Sequence, residues 1–145
     1  MPAHGSRVVT ATSPDGPVGC TANSLMSLSA DPPTVLVSLA STSRTLAHAV
    51  SGGVFGVNIL ARDQRALCRH FAQGDPPHRF DDVPHELRGG VSVLPDAIAA
   101  LACRLEQTTE LVDHTLLTGS PLCAEYDPTA TPLVVHRRRE HGVDA

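Results

Sequence analysis

Aromatic residues are scarce in this chain of 145 residues, which has no tryptophan, one tyrosine and three phenylalanines. A platform of rings for stacking single-stranded nucleic acid is therefore poorly supported, and a core has to be built from Val, Leu, Ile and Ala. Positive charge is also short. Eleven Lys and Arg against fifteen Asp and Glu give a formal net charge of -4, so no global positive field collects phosphate backbones, and no nucleic-acid partner is predicted. No apolar run reaches the roughly 18 to 20 residues needed to cross a bilayer. The N-terminal MPAHGSRVVTA shows no basic segment leading into a long apolar stretch, so neither a membrane span nor a secretory signal is predicted and the expected location is the cytoplasm. Cys20, Cys68, Cys103 and Cys123 contain no C-x-x-C pair for zinc or disulfide exchange. In a reducing compartment they read as buried small apolar residues. G-x-G-x-x-G, a Walker sequence, G-x-S-x-G and H-E-x-x-H are all missing, which argues against a Rossmann dehydrogenase and gives no sign of a metal site.

What is present fits one domain with one core. Val8 to Ala11, Thr34 to Leu39 and Val54 to Leu60 are β-branched or Leu-rich runs bounded by turn formers, and they predict strands. Val18 to Leu28 has mixed periodicity and is compatible with one strand bearing a polar face. Asp31-Pro32-Pro33 predicts a hairpin turn, since each Pro fixes its own φ and biases the residue before it away from helix. Thr42 to Val50 predicts a short helix capped by Ser43 and ended by Gly52-Gly53. Asp63 to Phe71 predicts a second, with Asp63 as its cap. Gln73 to Gly90, with three prolines and many charges, predicts a long loop holding one helical turn. Ala102 to Leu111, His114 to Ala124 and Leu133 to His136 return to strand-like material. Strands, two inserted helices and more strands predict a mostly antiparallel sheet of six or seven strands, closed or nearly closed into a small barrel.

Two segments carry candidate chemistry. Gly19 to Ser29 sets hydroxyls and an amide among small residues, which lets a flat ligand approach backbone N–H and C=O groups. The plain alternative is a hydroxyl-rich edge strand facing water. Ser38 to Thr45 runs from a strand into a helix, where hydroxyls, N–H groups and Arg44 suit a phosphate at the positive end of the helix dipole. Its alternative is ordinary capping by Ser43 with Arg44 solvated. The runs Asp81-Asp82 and Arg137-Arg138-Arg139 read as solvated charge.

Taken in order, T-A-N-S at residues 21–24, S-x-S-x-D-P-P at 27–33, S-x-T at 43–45, G-x-F-x-V-N-x-L at 53–60 and Q-x-x-L-x-x-x-F-A at 64–72 resemble the short-chain flavin reductase family. Weaker markers follow in the same order at Ala99 to Cys103, Asp113-His114, Gly119 and Pro132-Leu133. The resemblance spans roughly residues 7 to 136. It implies an FMN-binding split β-barrel, mostly β with short helices, antiparallel and homodimeric. It also implies use of NADH or NADPH to supply reduced FMN or FAD to a partner monooxygenase. By position it implies that Thr21, Ala22, Asn23 and Ser24 line the isoalloxazine, and that Ser38, Ala40, Ser41, Ser43 and Thr45 surround the ribityl phosphate. Phe71 is expected to close part of the flavin site. Asp113-His114 matches the family's Asp-His pair, making His114 the expected nicotinamide-side residue, with Arg79-Phe80 as weaker candidates for the same region. A His beside an Asp is equally a common structural pair.

Three departures stand out. Only six residues precede Arg7, where the family commonly has a longer segment. Arg137-Arg138-Arg139 follows His136, where an aromatic residue is common. Val112 stands where the family usually has Gly before Asp113, and Val resists the backbone angles Gly permits. They motivate two alternatives: a barrel reused as a non-redox biosynthetic cyclase or isomerase, and a flavin-binding module.

Overall fold

The computed structural model describes residues 4–5, 7–22, 24–126, 133–136 and 139–142. Along the chain come β1 (His4–Gly5), β2 (Arg7–Ser13), β3 (Gly16–Ala22), β4 (Leu25–Ala30), β5 (Pro33–Ala40), α1 (Arg44–Gly52) and β6 (Val54–Ile59). A 3-10 turn at Arg62–Gln64 leads into α2 (Arg65–Gln73), and a second, at Pro76–His78, precedes β7 (Glu86–Arg88) and β8 (Val91–Val93). The chain continues through β9 (Ala99–Leu111), β10 (His114–Tyr126), β11 (Leu133–His136) and β12 (Arg139–Gly142). The fold is mostly β with two short helices, as expected.

The main sheet has seven strands in the order β3-β2-β6-β9-β10-β5-β4, every pairing antiparallel. Its two edge strands, β3 and β4, are consecutive in sequence and separated only by positions 23 and 24. The sheet must therefore curl until its edges meet at that corner, which makes a nearly closed barrel. The inner face gathers Val9, Ala11, Val18, Val37, Leu39, Phe55, Val57, Cys103 and Leu117, with Leu46 and Ala49 of α1 packed among them. The opposite face of β2 presents Val8, which packs with Leu60, Leu94 and the α2 residues Cys68 and Phe71. Four successive β2 residues are thus buried because both faces of the strand are covered. Phe55 and Phe71 are fully buried, and a side chain of this size contributes about 1.5–3 kcal/mol by leaving water. Asn58, also fully buried, donates to Val8 O at 3.1 Å and accepts from Leu94 N at 2.8 Å. It stitches the chain entering β9 onto the sheet.

α1 begins and ends as its sequence predicts. Ser43 is the N-cap, its hydroxyl accepting from Leu46 N, and Gly53 closes the helix at φ 75°, a conformation free of penalty for glycine. Several expectations need correction. Asp63 does not cap α2: it lies within the 3-10 turn, and Gln64 takes the cap position, buried with its side-chain oxygen accepting from Ala61 N at 2.9 Å. The Gln64 side chain makes no cap bond to α2 itself; it closes the 3-10 turn on the Ala61 N–H, and that turn runs directly into the helix. Val18 to Leu28 is not one strand. It breaks into β3, which pairs with β2, and β4, which pairs with β5. The segment 73–90 contains β7 as well as its helical turn, because Glu86–Arg88 pairs with the apolar β8. Of the four cysteines, only Cys68 and Cys103 are buried; Cys20 is half-buried and Cys123 exposed. The Arg137-Arg138 part of the charge run lies outside the described residues.

Candidate functional site

A cavity of about 410 Å³ opens where β3, the end of β5, the start of α1 and the turn near Pro76 converge. Its size is within the ordinary range for a cofactor pocket. Gly19, Ala22 and Ala40 contribute little bulk to its wall, while Thr21, Ser24, Ser38, Thr42 and Ser43 contribute hydroxyls. Arg44, Thr45, Arg79 and His114 complete the polar lining, and among the described residues no carboxylate belongs to it. The wall is therefore formally cationic.

Each part of this wall has a local cause. Ala40 ends β5, and the turn through Ser41 and Thr42 delivers the chain to the Ser43 cap. The hydroxyl of Ser43 is taken by Leu46 N, whereas the N–H groups of Arg44 and Thr45 come too early in the helix to find an intrahelical acceptor. Two donors and the positive end of a nine-residue helix thus meet at the cavity. Thr21 is held by its hydroxyl, which donates to Cys68 O at 2.8 Å. Arg79 is held still more firmly: Nε donates to Gly74 O and Nη1 to Gly19 O, each at 3.0 Å. These bonds tether the segment after α2 to β3. His70 Nε2 meets Arg79 O and strengthens the tether.

Behind Gly19 the rings of Phe71 and Phe80 stack edge to face with centroids 5.0 Å apart. A Cβ placed on Gly19 would sit 3.1 Å from both rings. His114, at the start of β10, is half exposed and its Nδ1 lies 2.9 Å from Asp113 Oδ1. That hydrogen bond, together with the Asp113 backbone N–H and the nearby imidazole charge, holds the Asp113 carboxyl below its usual range. With Nδ1–H donating to a carboxylate, a neutral His114 ring keeps Nε2 as an acceptor.

Thr21, Ala22, Ser24, Ser38, Ala40, Ser43, Thr45, Arg79 and His114 are thus brought to one cavity. Ser41, Phe71, Phe80 and Asp113 are not on its wall. Phe71 is fully buried and, with Phe80, backs the wall at Gly19 instead of closing the cavity. Asn23 lies outside the described residues. Cys20 and Leu39, inside the two candidate segments though not named as site residues, also line the cavity, as do Val18 and Pro76, which lie outside both segments. Cys20 was visible as the neighbour of Thr21 on a strand end, while Pro76 arrives through the Arg79 tether, which leaves no local signal.

The lining fits a flavin on the structure's own terms. Small wall residues leave room for a flat ring, and the unpaired helix N–H groups with Arg44 suit an anionic phosphate. Similar proteins point the same way. The chain is 37% identical over 123 residues to the FMN reductase (NADH) SmoA of Agrobacterium fabrum, covering 84% of this chain and 70% of that protein. It is 36% identical over 146 residues to the NADH-dependent flavin reductase StyB of Pseudomonas fluorescens, covering 97% and 83%. The solved styrene monooxygenase flavin reductase of Pseudomonas putida S12 superposes with a TM-score of 0.87 at 34% identity, covering 100% of this chain and 94% of that one. The family model for the flavin reductase like domain matches residues 2–144, and the chain belongs to that family.

Proposed function

We propose that this protein is an NADH-dependent flavin reductase that supplies reduced FMN or FAD to a partner monooxygenase. The observation that carries the reading is the single cavity joining the small-residue wall of β3, the N-terminus of α1 and His114. Family membership and the NADH-linked relatives support it. Bound flavin supplies, at N5, the acceptor for a hydride from nicotinamide C4. The protein's task is then to hold two flat rings in contact and in register, which requires orientation more than a strong acid or base. Arg44, with the N–H groups of Arg44 and Thr45, holds the phosphate. Thr21, Ala22 and Ser24 line the ring, Asn23, next in sequence to Ala22, belongs with them by position, and Ser38, Ala40 and Ser43 lie toward the phosphate. His114 Nε2 accepts from the nicotinamide carboxamide, with Asp113 fixing its tautomer. Arg79 fixes the wall that excludes water behind Gly19, with Phe71 and Phe80 supporting it.

One domain carries this activity, and we infer that it works as a homodimer in the cytoplasm. Support for the dimer is a groove of about 460 Å³ beside β4, β5 and β10, lined by Met26, Leu36 and Leu116, with Arg7 and the core-packed Leu25 at its edge. Met26 and the neighbouring Leu28 are each about half exposed, an apolar surface suited to a second copy. Ser24 and Ser38 line both this groove and the cavity. Four widely spaced cysteines with no C-x-x-C pair suit a reducing compartment, and among the described residues no helix is long and apolar enough to cross a membrane.

Fluorescence titration tests the site. Arg44→Glu weakens FMN at least tenfold and riboflavin far less, because riboflavin lacks the phosphate facing that charge. Equal losses for both ligands would remove the phosphate from the α1 end. Tight flavin binding with no NADH oxidation is the outcome expected of a reused barrel or a binding module.

A further inference from the structure

The hairpin that carries His114 is fastened to the turn that opens α1, and both fastenings end on Ser41. The Ser41 N–H donates to Asp113 O at 3.0 Å, and its hydroxyl lies 2.9 Å from the hydroxyl of Thr115. Thr115 is only 4% exposed. The two bonds therefore bracket His114 in sequence, one on the residue before it and one on the residue after. Ser41 itself stands outside the cavity wall, while its neighbours Ala40, Thr42 and Ser43 are on it.

The hairpin has reason to need this support. Its two-residue turn places Val112 at φ 59°, a conformation that β-branched residues resist. Its side chain is fully exposed, so packing does not hold it there. Strained backbone persists where surrounding contacts over-determine it, and the bonds to Ser41 are contacts of that kind.

We propose that Thr115 and Ser41 are positioning residues for the reductase reaction, a two-hydroxyl clamp that keeps His114 at a fixed spacing from the anion-binding N–H groups of Arg44 and Thr45. The clamp links the nicotinamide side of the cavity to its phosphate end. It rests on the functional reading above, in which His114 faces the nicotinamide.

The test compares Thr115→Val, Thr115→Ser, Ser41→Ala, His114→Ala and the Thr115→Val/His114→Ala double variant in NADH oxidation with FMN. Amide exchange at Ser41 is measured alongside. Loss of one neutral hydrogen bond is expected to raise the NADH KM about fivefold in Thr115→Val and in Ser41→Ala, with kcat moving less. Thr115→Ser restores the wild-type KM, and Ser41 exchange quickens in Thr115→Val. The double variant is no worse than His114→Ala, because the clamp acts through His114. An unchanged NADH KM, an additive double variant or failure of Thr115→Ser to restore would each overturn the proposal. A merely structural hydroxyl would lower stability without this pattern. Should Thr115→Val not fold, Ser41→Ala gives the same reading from an exposed position. A wild-type protein that oxidises no NADH would refute the functional reading and with it the role of His114. Ser41 exchange would then still decide the clamp, since an unaltered rate in Thr115→Val shows that the hydroxyl pair fastens nothing.

Discussion

Val112→Gly should make this protein more stable, against the usual direction for a change to glycine. Val112 lies in the left-handed region at φ 59°, where an L side chain costs roughly 1–2 kcal/mol. Its side chain is fully exposed, so deleting it sacrifices no burial. Glycine removes the backbone strain but gives the unfolded chain extra freedom worth about 0.5–1 kcal/mol. The difference is a gain of up to roughly 1.5 kcal/mol, or up to about 5 °C in Tm for a chain of this size. Val112→Ala keeps the Cβ and relieves only the branching, so its gain should be smaller. Thermal and urea unfolding at matched protein concentration, to hold any association constant, measure both variants. A Val112→Gly protein no more stable than the parent, or less stable than Val112→Ala, would refute the claim that this turn is strained.

The remaining predictions concern packing, the tether and the thiols. Gly119→Ala should cost about 1–3 kcal/mol in urea unfolding, because a Cβ there would lie 2.6 Å from Phe55 Cζ and 2.9 Å from Cys103 Cβ; an unaltered midpoint would show that Phe55 can yield. Arg79→Lys keeps the charge but cannot reproduce both guanidinium bonds to Gly74 O and Gly19 O. Flavin affinity should fall roughly tenfold on titration, and full retention would show that the tether does not shape the cavity. Burial, then the neighbouring Cys123, pushes the Cys103 thiol up to about 12. The folded state holds that proton where the unfolded state releases it, so stability should decline as pH rises from the ordinary thiol range towards 12. Alkylation followed by mass spectrometry should label the exposed Cys123 in the native protein and Cys103 only after unfolding; rapid native labelling of Cys103 would contradict its burial.

Much of this architecture is legible locally. β2, β5 and β6 announce themselves as short β-branched runs, and α1 carries both its start and its stop signal, a hydroxyl before the first turn and Gly53 after the last. What escaped depends on partners distant in sequence. Gly16 to Ala30 is rich in small residues with no clear period, so nothing local marks the corner at positions 23 and 24 where β3 becomes β4. β8 is three residues long, and its burial comes from contacts with β2 and β6. Asp63 does not cap α2 because a 3-10 turn, closed by the Gln64 side chain on the Ala61 N–H, runs straight into the helix.

The candidate site divides along the same line. Residues placed by strand and helix ends, Thr21, Ala22, Ser38, Ser43 and Thr45, reach the cavity as their positions imply. Ser41 and Phe71 do not, since one is drawn to Thr115 and the other lies beneath Gly19. Both outcomes follow from contacts made across the fold.

The most direct test of the account is steady-state oxidation of NADH by the purified protein, followed through the loss of reduced-nicotinamide absorbance, with FMN or FAD added and with none. The account predicts oxidation that saturates with flavin, with a KM for NADH that rises in His114→Ala more than the KM for flavin. Flavin-independent oxidation, or no oxidation by a protein that binds flavin, would contradict it.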